Sequence, residues 1–296
     1  MIDVSIIIVN YNTIHLLINA LDSLFEKCND IAYEVIVVDN NSSDNSREIC
    51  KSRYGERVFF LSLLENIGFG RANNEAIKIA KGRNVFLLNP DTILLNNAVK
   101  ILSEYLDNHT NVAICGGNLY TKELEPIHSY SMHLPSLYSE VDQLLGERLS
   151  FRRYGNNLFF NHTGKPLNVG YVTGADMMIR KSVLDKTGYF DPDFFMYFEE
   201  TELTFRIRKM GYEVMSVPDA RIIHLEGQSI QLKENRENMF LQSHRLYLRK
   251  TSRSYIVFLL CQIIYGINAF IHVVYFSFFR KEREWQKLWK YRLKNF

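Results

Sequence analysis

The 296-residue chain is short of the residues that staple or break a fold. Its four cysteines, Cys28, Cys50, Cys115 and Cys261, are scattered, with no CxxC pair and no metal-type spacing. That excludes a disulfide scaffold or a zinc module and implies a reducing compartment. Only six prolines and fifteen glycines are present, and there is no internal repeat or low-complexity tract. Met1-Ile2-Asp3 has no basic segment and the apolar run Ile6 to Val9 is short, so no signal peptide is expected. A net basic charge is missing from most of the chain. From His244 onward eleven Lys/Arg face only Glu282 and Glu284, a net +9, so with +2 overall residues 1–243 carry −7. An acidic body lacks the footprint of a nucleic-acid binder, and no nucleic-acid partner is expected.

What is present is ordinary globular composition, 47% hydrophobic and 23% charged, in a strand–helix rhythm. Val4 to Val9 is a continuous β-branched run, suited to a strand buried on both faces. A helical pattern follows through Leu16, Leu17, Leu21, Leu24 and Phe25, then a second buried strand, Glu34 to Val38. Asp44 and Ser46 offer cap chemistry for a helix near 44–54. A strand over 58–63, a helix over 70–80, a strand over 85–88, a helix near 97–108 and a strand near 112–117 complete the pattern. It predicts a mostly parallel α/β sheet covered by helices. Residues 118–168 are irregular and read as a long insertion, either an acceptor-side wall or a mobile flap. Regular structure returns with Val172 to Arg180, a helix over 199–210 and a strand over 213–217.

Ligands of such sheets bind at the carboxyl ends of strands, where polar clusters sit. Asp39 ends a buried strand ahead of Asn40 and Asn41. Its carboxylate either caps the next turn or accepts a hydrogen bond from a ligand N–H, as uracil and thymine present at N3. Asn89-Pro90-Asp91 is either a turn or a site for a hard divalent cation shared with substrate phosphates. Gly68-Phe69-Gly70-Arg71 precedes a helix and suits an anion, or makes only the turn. It lacks the third glycine of a dinucleotide fingerprint, since Asn73 stands there, and a dinucleotide-dependent reductase is excluded. Glu199, Glu200 and Glu202 cluster at a helix start, either because the helix dipole favours acids there or because one is a general base. His224 is a structural histidine or a metal ligand.

Seven stretches in order carry a resemblance: Val4 to Asn12, Val37 to Asp44, Glu65 to Asn74, Leu88 to Thr92, Gly174 to Arg180, Phe195 to Leu203 and His224 to Ser229. Together they resemble glycosyltransferase family 2, inverting enzymes of GT-A (Rossmann-like) fold, in particular its bacterial rhamnosyltransferase-like branch. The resemblance implies a sugar, L-rhamnose by that branch, moved from a pyrimidine nucleoside-diphosphate donor to a hydroxyl of a glycan or lipid-linked acceptor in surface-polysaccharide synthesis. It implies Asn10, Tyr11 and Asn12 along the nucleoside, Asp39 on the base with Asn41 close by, and Arg71 near the nucleotide. Asn89 and Asp91 match the family's Asp-x-Asp motif with its first acid replaced, and His224 completes a site for Mg²⁺ or Mn²⁺. Glu200 matches the catalytic base, with Glu199 as its partner or substitute. The alternative is a membrane-bound scaffold with a degenerate site.

Residues 1–243 are thus expected to form the GT-A domain and 244–296 a membrane-attachment region. Ser254 to Phe279 holds 26 residues without Lys, Arg, Asp or Glu, about 39 Å as a helix. Basic residues flank it on both sides, against a simple span. Gln262, Gly266, Asn268, His272 and Ser277 share half of a helical wheel. That suits a helix lying in the interface, or a shallow hairpin breaking near Gly266, with Trp285 and Trp289 at headgroup level. Monotopic attachment at the cytoplasmic face of the plasma membrane is expected, with anionic lipid as partner.

Overall fold

The computed structural model describes residues 2–225, 233–280 and 282–295. In chain order the elements are Val4–Asn10 (β1), Ile14–Lys27 (α1), Tyr33–Asp39 (β2), Ser46–Tyr54 (α2), Phe59–Ser62 (β3), Phe69–Ile79 (α3), Asn84–Leu88 (β4), Thr92–Leu94 (β5), Ala98–Asn108 (α4), Val112–Tyr120 (β6) and Tyr130–Ser131 (β7). Leu137–Leu144 (α5), Arg148–Tyr154 (α6), Leu167–Asn168 (β8), Tyr171–Val172 (β9), Asp176–Arg180 (β10), Lys181–Thr187 (α7), Glu199–Lys209 (α8) and Glu213–His224 (β11) follow. Lys233–Thr251 (α9), Tyr255–Phe278 (α10) and Arg283–Asn295 (α11) end the chain.

The main sheet runs β3-β2-β1-β4-β10-β6-β11-β5, with β8 beside β11. β1, β2, β3 and β4 pair in parallel, whereas β10 is antiparallel to both β4 and β6. The two-residue side-chain period divides each central strand between two cores. Ile6, Ile8, Val35 and Val37 join Leu17, Leu21 and Leu24 of α1 and Leu102 and Leu106 of α4 on one face. Ile7, Val9, Ile36 and Val38 join Ala72, Ala76 and Ile77 of α3 and Leu203 and Ile207 of α8 on the other. A strand buried on both faces needs an unbroken apolar run, which is what Val4 to Val9 supplies. Burying one such leucine contributes about 1.5–3 kcal/mol.

Several boundaries differ from the sequence reading. The edge strand is Phe59–Ser62, and the helix expected from 44 begins at Ser46. Asp44 lies outside it, and its carboxylate accepts the backbone N–H of Ile14 (2.9 Å), in the first turn of α1. The region 118–168 is not irregular throughout. β6 runs on to Tyr120, and α5 and α6 fold within it. Ser136 caps α5 with a reciprocal Ser136–Ser139 capping box, and Asp142 accepts Leu149 N–H and Ser150 N–H at the start of α6.

α9 runs across the expected boundary at 243/244. Tyr247 and Leu248 of α9 are buried with Phe194, Phe258 and Cys261 in a third core, and His244 bonds Glu140 of α5 at 2.9 Å. α10 is one continuous helix through Gly266, capped by Ser254, so the break expected near Gly266 is absent. An isolated glycine costs a helix only about 1 kcal/mol. The turn comes after Phe278 instead, and α11 folds back on α10. Trp289 stacks on His272 (centroids 4.1 Å apart) and Trp285 on Phe276 (5.7 Å). Trp289 is therefore buried, while Trp285 stays half exposed. Lys281 lies outside the described residues.

Candidate active site

A cleft opens at the carboxyl ends of β1 and β4. Among its lining residues are Tyr11, Thr13, Asn40, Asn66, Asn89, Asp91, Gly174, Tyr197, Glu199, Glu200, His224 and Arg236. Its cavity volume is about 260 Å³.

β5 and β11 fix the first pair of groups. Their antiparallel register sets His224 opposite Thr92, and Leu225 N–H bonds Asp91 O at 2.9 Å. The His224 ring thereby meets the Asp91 carboxylate, Nε2 to Oδ1 at 3.3 Å. Asp91 is buried, and His224 Nδ1 has no partner among the described residues. One carboxylate and one imidazole, both largely withdrawn from water, fit a divalent cation that takes its other ligands from phosphate oxygens and water. Among the described residues no three His, Cys, Asp or Glu gather as a complete protein cage.

α8 supplies the second pair. The chain enters it through Tyr197 and Phe198, both left-handed (φ 70° and 65°), an outlying conformation for bulky residues. The entry is fixed by the loop before α3, where Phe69 N–H bonds Phe195 O at 3.0 Å. Gly68, at φ 86°, passes so close to Phe195 O that a Cβ would collide with it. Gly70 lets α3 lie against Glu199, whose Cβ sits 3.3 Å from where a Cβ on Gly70 would be. These two glycines seat α3 against the entry and first turn of α8.

Glu199 is 4% exposed and its Oε2 has no partner among the described residues. Burial, then the neighbouring Glu200, push its carboxyl well above the ordinary glutamate range. Glu200 is less buried, and Thr201 Oγ1 lies 3.3 Å from its Oε1. Burial raises it too, opposed by backbone N–H groups and Thr201. Burial thus favours the protonated form of both carboxyls, more strongly for Glu199 than for Glu200.

The nucleoside side divides the residues expected there. Tyr11 lines the cleft, 43% exposed. Asn10 does not. It is fully buried, its amide donating to Asp39 Oδ1 (3.2 Å) and Ser46 Oγ (2.8 Å) and its oxygen accepting from Thr13 (2.8 Å). Asn12, left-handed at φ 55°, points to Ser43 N–H (2.7 Å). Asp39 is buried and not among the lining residues, its carboxylate accepting from the Asn10 amide (3.2 Å) and Ser42 N–H (3.3 Å). Asn40, not Asn41, reaches the cleft; Asn41 is exposed at a left-handed turn (φ 68°).

Arg71 is not among the residues that line the cleft. It is exposed, and its Nε donates to Pro192 O at 2.6 Å, away from the cleft wall. Helical spacing explains this, since on α3 the side chain at 71 falls on the solvent side while Ala72 and Ala76 take the core. Of His224 to Ser229, only His224 and Leu225 are described. Arg236, Tyr197 and Asn66 are lining residues the sequence reading missed. Nothing local marks Arg236 as a site residue, because α9 brings it to the cleft only through its tertiary packing.

A model of the family described as Glycosyl transferase family 2 matches residues 5–188. The chain belongs to glycosyl transferase family 2. Among curated relatives it is 26% identical over 262 residues to the low-salt glycan biosynthesis hexosyltransferase Agl10 of Haloferax volcanii, covering 85% of this chain and 78% of that one. It is 26% identical over 246 residues to the rhamnosyltransferase WbbL of Escherichia coli K12, covering 79% and 86%. The mannosyltransferase PcManGT of Pyrobaculum calidifontis, solved in complex with GDP-Man and Mn²⁺, superposes with a TM-score of 0.61 at 15% identity, over 99% of this chain and 86% of that one. This likeness shows the fold, which is GT-A as expected. As a member of the family the chain is a glycosyltransferase, and the matched segment includes Asp91 but ends before Glu199, Glu200 and His224.

Proposed function

We propose that the chain is an inverting sugar transferase, moving L-rhamnose or a related hexose from a pyrimidine nucleoside diphosphate to a hydroxyl of a glycan or lipid-linked acceptor. One observation carries the reading: the Asp91–His224 pair and the Glu199–Glu200 pair, far apart in sequence, line one cleft at the strand ends. The rhamnosyltransferase name of WbbL supports the sugar.

The reaction needs a proton acceptor beside the incoming hydroxyl and countercharge beside the leaving diphosphate. Glu200 meets the first need. As the acceptor oxygen bonds to the anomeric carbon, its proton passes to a Glu200 carboxylate oxygen. The bond to the diphosphate breaks on the opposite face, and its electron pair leaves on the diphosphate oxygen. Asp91 and His224 would hold Mg²⁺ or Mn²⁺, which when bound supplies countercharge to the diphosphate. Tyr11 offers a ring to the base, and Glu199, kept protonated, spares Glu200 a second charge. A single displacement inverts the anomeric centre.

The C-terminal helices fit monotopic attachment to anionic lipid. α10 is long and apolar enough to cross a membrane, yet its polar side, Gln262 and Asn268, is buried against the protein. Its outer side exposes Ile256, Ile263, Phe270 and Phe278, at 56–72%. A helix docked along one face lies on a bilayer rather than through it. On α11, Arg283, Lys287, Lys290 and Lys294 are exposed at helical spacing, a basic stripe for lipid phosphates. The polar half-wheel thus turns inward, opposite to a free interfacial helix.

The test is release of nucleoside diphosphate from dTDP-rhamnose and UDP-sugars, with Mg²⁺ or Mn²⁺, by the full chain in detergent. Hydrolysis of one donor, even without acceptor, supports catalysis. No release from any donor favours the degenerate scaffold.

A further inference from the structure

Displacement of a nucleoside diphosphate leaves growing negative charge on phosphate oxygens, and arginine forks bind such oxygens in pairs. Arg71, the cation expected there, is turned to Pro192 O. Among the described residues the cleft is lined by a single Lys or Arg, which is Arg236 of α9.

Three observations set Arg236 apart. It lies in the first turn of α9, where the helix dipole disfavours a cation unless an anion is near. Among the described residues no carboxylate forms an ion pair with it, and its neighbour is the Tyr197 phenol, the residue next to the strained entry of α8. Its turn is also held from behind. Glu237 accepts from Arg292 of α11 at 2.8 Å, and Arg292 in turn lies over the rings of Phe240 (5.4 Å) and Trp289 (4.9 Å). A guanidinium with no ion-pair partner among the described residues therefore stands on a braced turn that lines the cleft with Asp91, His224 and Glu200.

We propose that Arg236 binds the donor's diphosphate, with the Glu237–Arg292 pair as its positioning brace. The proposal rests on the glycosyltransfer reading and names the residue that meets the leaving group. It also links the C-terminal helices to the cleft, because Arg292 belongs to the helix that carries the basic stripe.

Calorimetric titration of the full chain in detergent, with Mn²⁺, tests it with four probes: UDP, dTDP, uridine and thymidine. Arg236→Gln is expected to weaken the preferred diphosphate about 10- to 100-fold, the range of a charged hydrogen bond, and to leave nucleoside affinity unchanged. Arg236→Lys is expected to recover part of the loss, and Arg71→Gln to bind all four probes as the wild type does. Arg292→Gln should give a smaller, diphosphate-selective loss. Equal weakening of diphosphate and nucleoside in Arg236→Gln, or no weakening, overturns the proposal while the glycosyltransfer reading stands. A wild type that binds none of the four overturns that reading and the proposal together.

Discussion

The cleft and the C-terminal helices break the same rule in opposite directions. In the cleft, carboxylates are withdrawn from water, and Glu199 Oε2 has no partner among the described residues. On α10, large apolar side chains stand in the open while Gln262 and Asn268 are buried. A chain optimised only to fold would do neither, since a buried charge and an exposed apolar strip both cost stability. On the proposed reading each departure answers to something that binds there: a substrate at the first, lipid at the second. The comparison teaches that the two regions should respond independently to mutation, except through α9, which belongs to both.

The largest expected effect lies in the cleft. Glu200→Gln keeps the shape and removes the proton acceptor, so turnover should fall on the order of 10²–10⁴-fold while UDP or dTDP affinity is retained. Steady-state rates alongside calorimetry check this, and near-normal turnover takes the role away from Glu200. Because burial raises the Glu200 pKa, the wild-type rate should rise with pH through a midpoint above the ordinary glutamate range as the base ionises. A midpoint at the ordinary value would contradict the buried pair.

Next comes the Asp91–His224 pair. Asp91→Ala removes a buried carboxylate and leaves His224 without its partner. We expect roughly a 10²-fold loss of activity and a weaker response to added Mn²⁺, by analogy with the cost of losing one electrostatic stabiliser. Chelator-treated wild type with full activity would contradict this directly.

On the other side of the comparison, Ile263→Glu with Phe270→Glu puts charge on the exposed apolar strip of α10. The double variant should no longer float with phosphatidylglycerol vesicles, whereas donor hydrolysis in detergent stays within about twofold of wild type, surface changes being nearly neutral for the fold. If it still floats, α10 is not the attachment surface. Floating of the wild type should also weaken as salt screens the α11 stripe.

How much of this was legible beforehand follows from how local each signal is. The parallel core was legible because a doubly buried strand must be an unbroken apolar run, and Val4 to Val9 is one. Asp91, Glu199, Glu200 and His224 were legible as motifs ending strands or opening a helix, and the fold brings them to one cleft. Arg71 and Asn41 misled because sequence proximity to a loop does not say which way a side chain points. Arg236 was invisible because its place depends on α9 packing against α8 and α11. The tail's polar half-wheel was visible, but not its direction. Periodicity marks two faces and leaves open which one meets protein, and the partner, α5, lay in the stretch that read as irregular.

The smallest expected effect concerns stability and follows from the Glu199 carboxyl. Its native pKa lies well above the ordinary value because it is buried beside Glu200. In acid, native and unfolded chains both hold the proton and nothing is lost. As pH rises past the ordinary glutamate range, the unfolded chain releases its proton while the native one keeps it. The native state then binds more protons, and stability falls with rising pH until the native group ionises. Glu199→Gln, neutral at every pH, escapes that fall. The variant should therefore gain in Tm relative to wild type between pH 5 and pH 8, with each kcal/mol worth about 2–4 °C in a domain of this size. Asp176, also buried and pushed well above its ordinary value, adds a slope of the same sign in both proteins and drops out of the difference. A variant-to-wild-type gap that stays flat or narrows over that range would mean Glu199 is ionised in the resting cleft, and the division of labour between the two glutamates would have to be reversed.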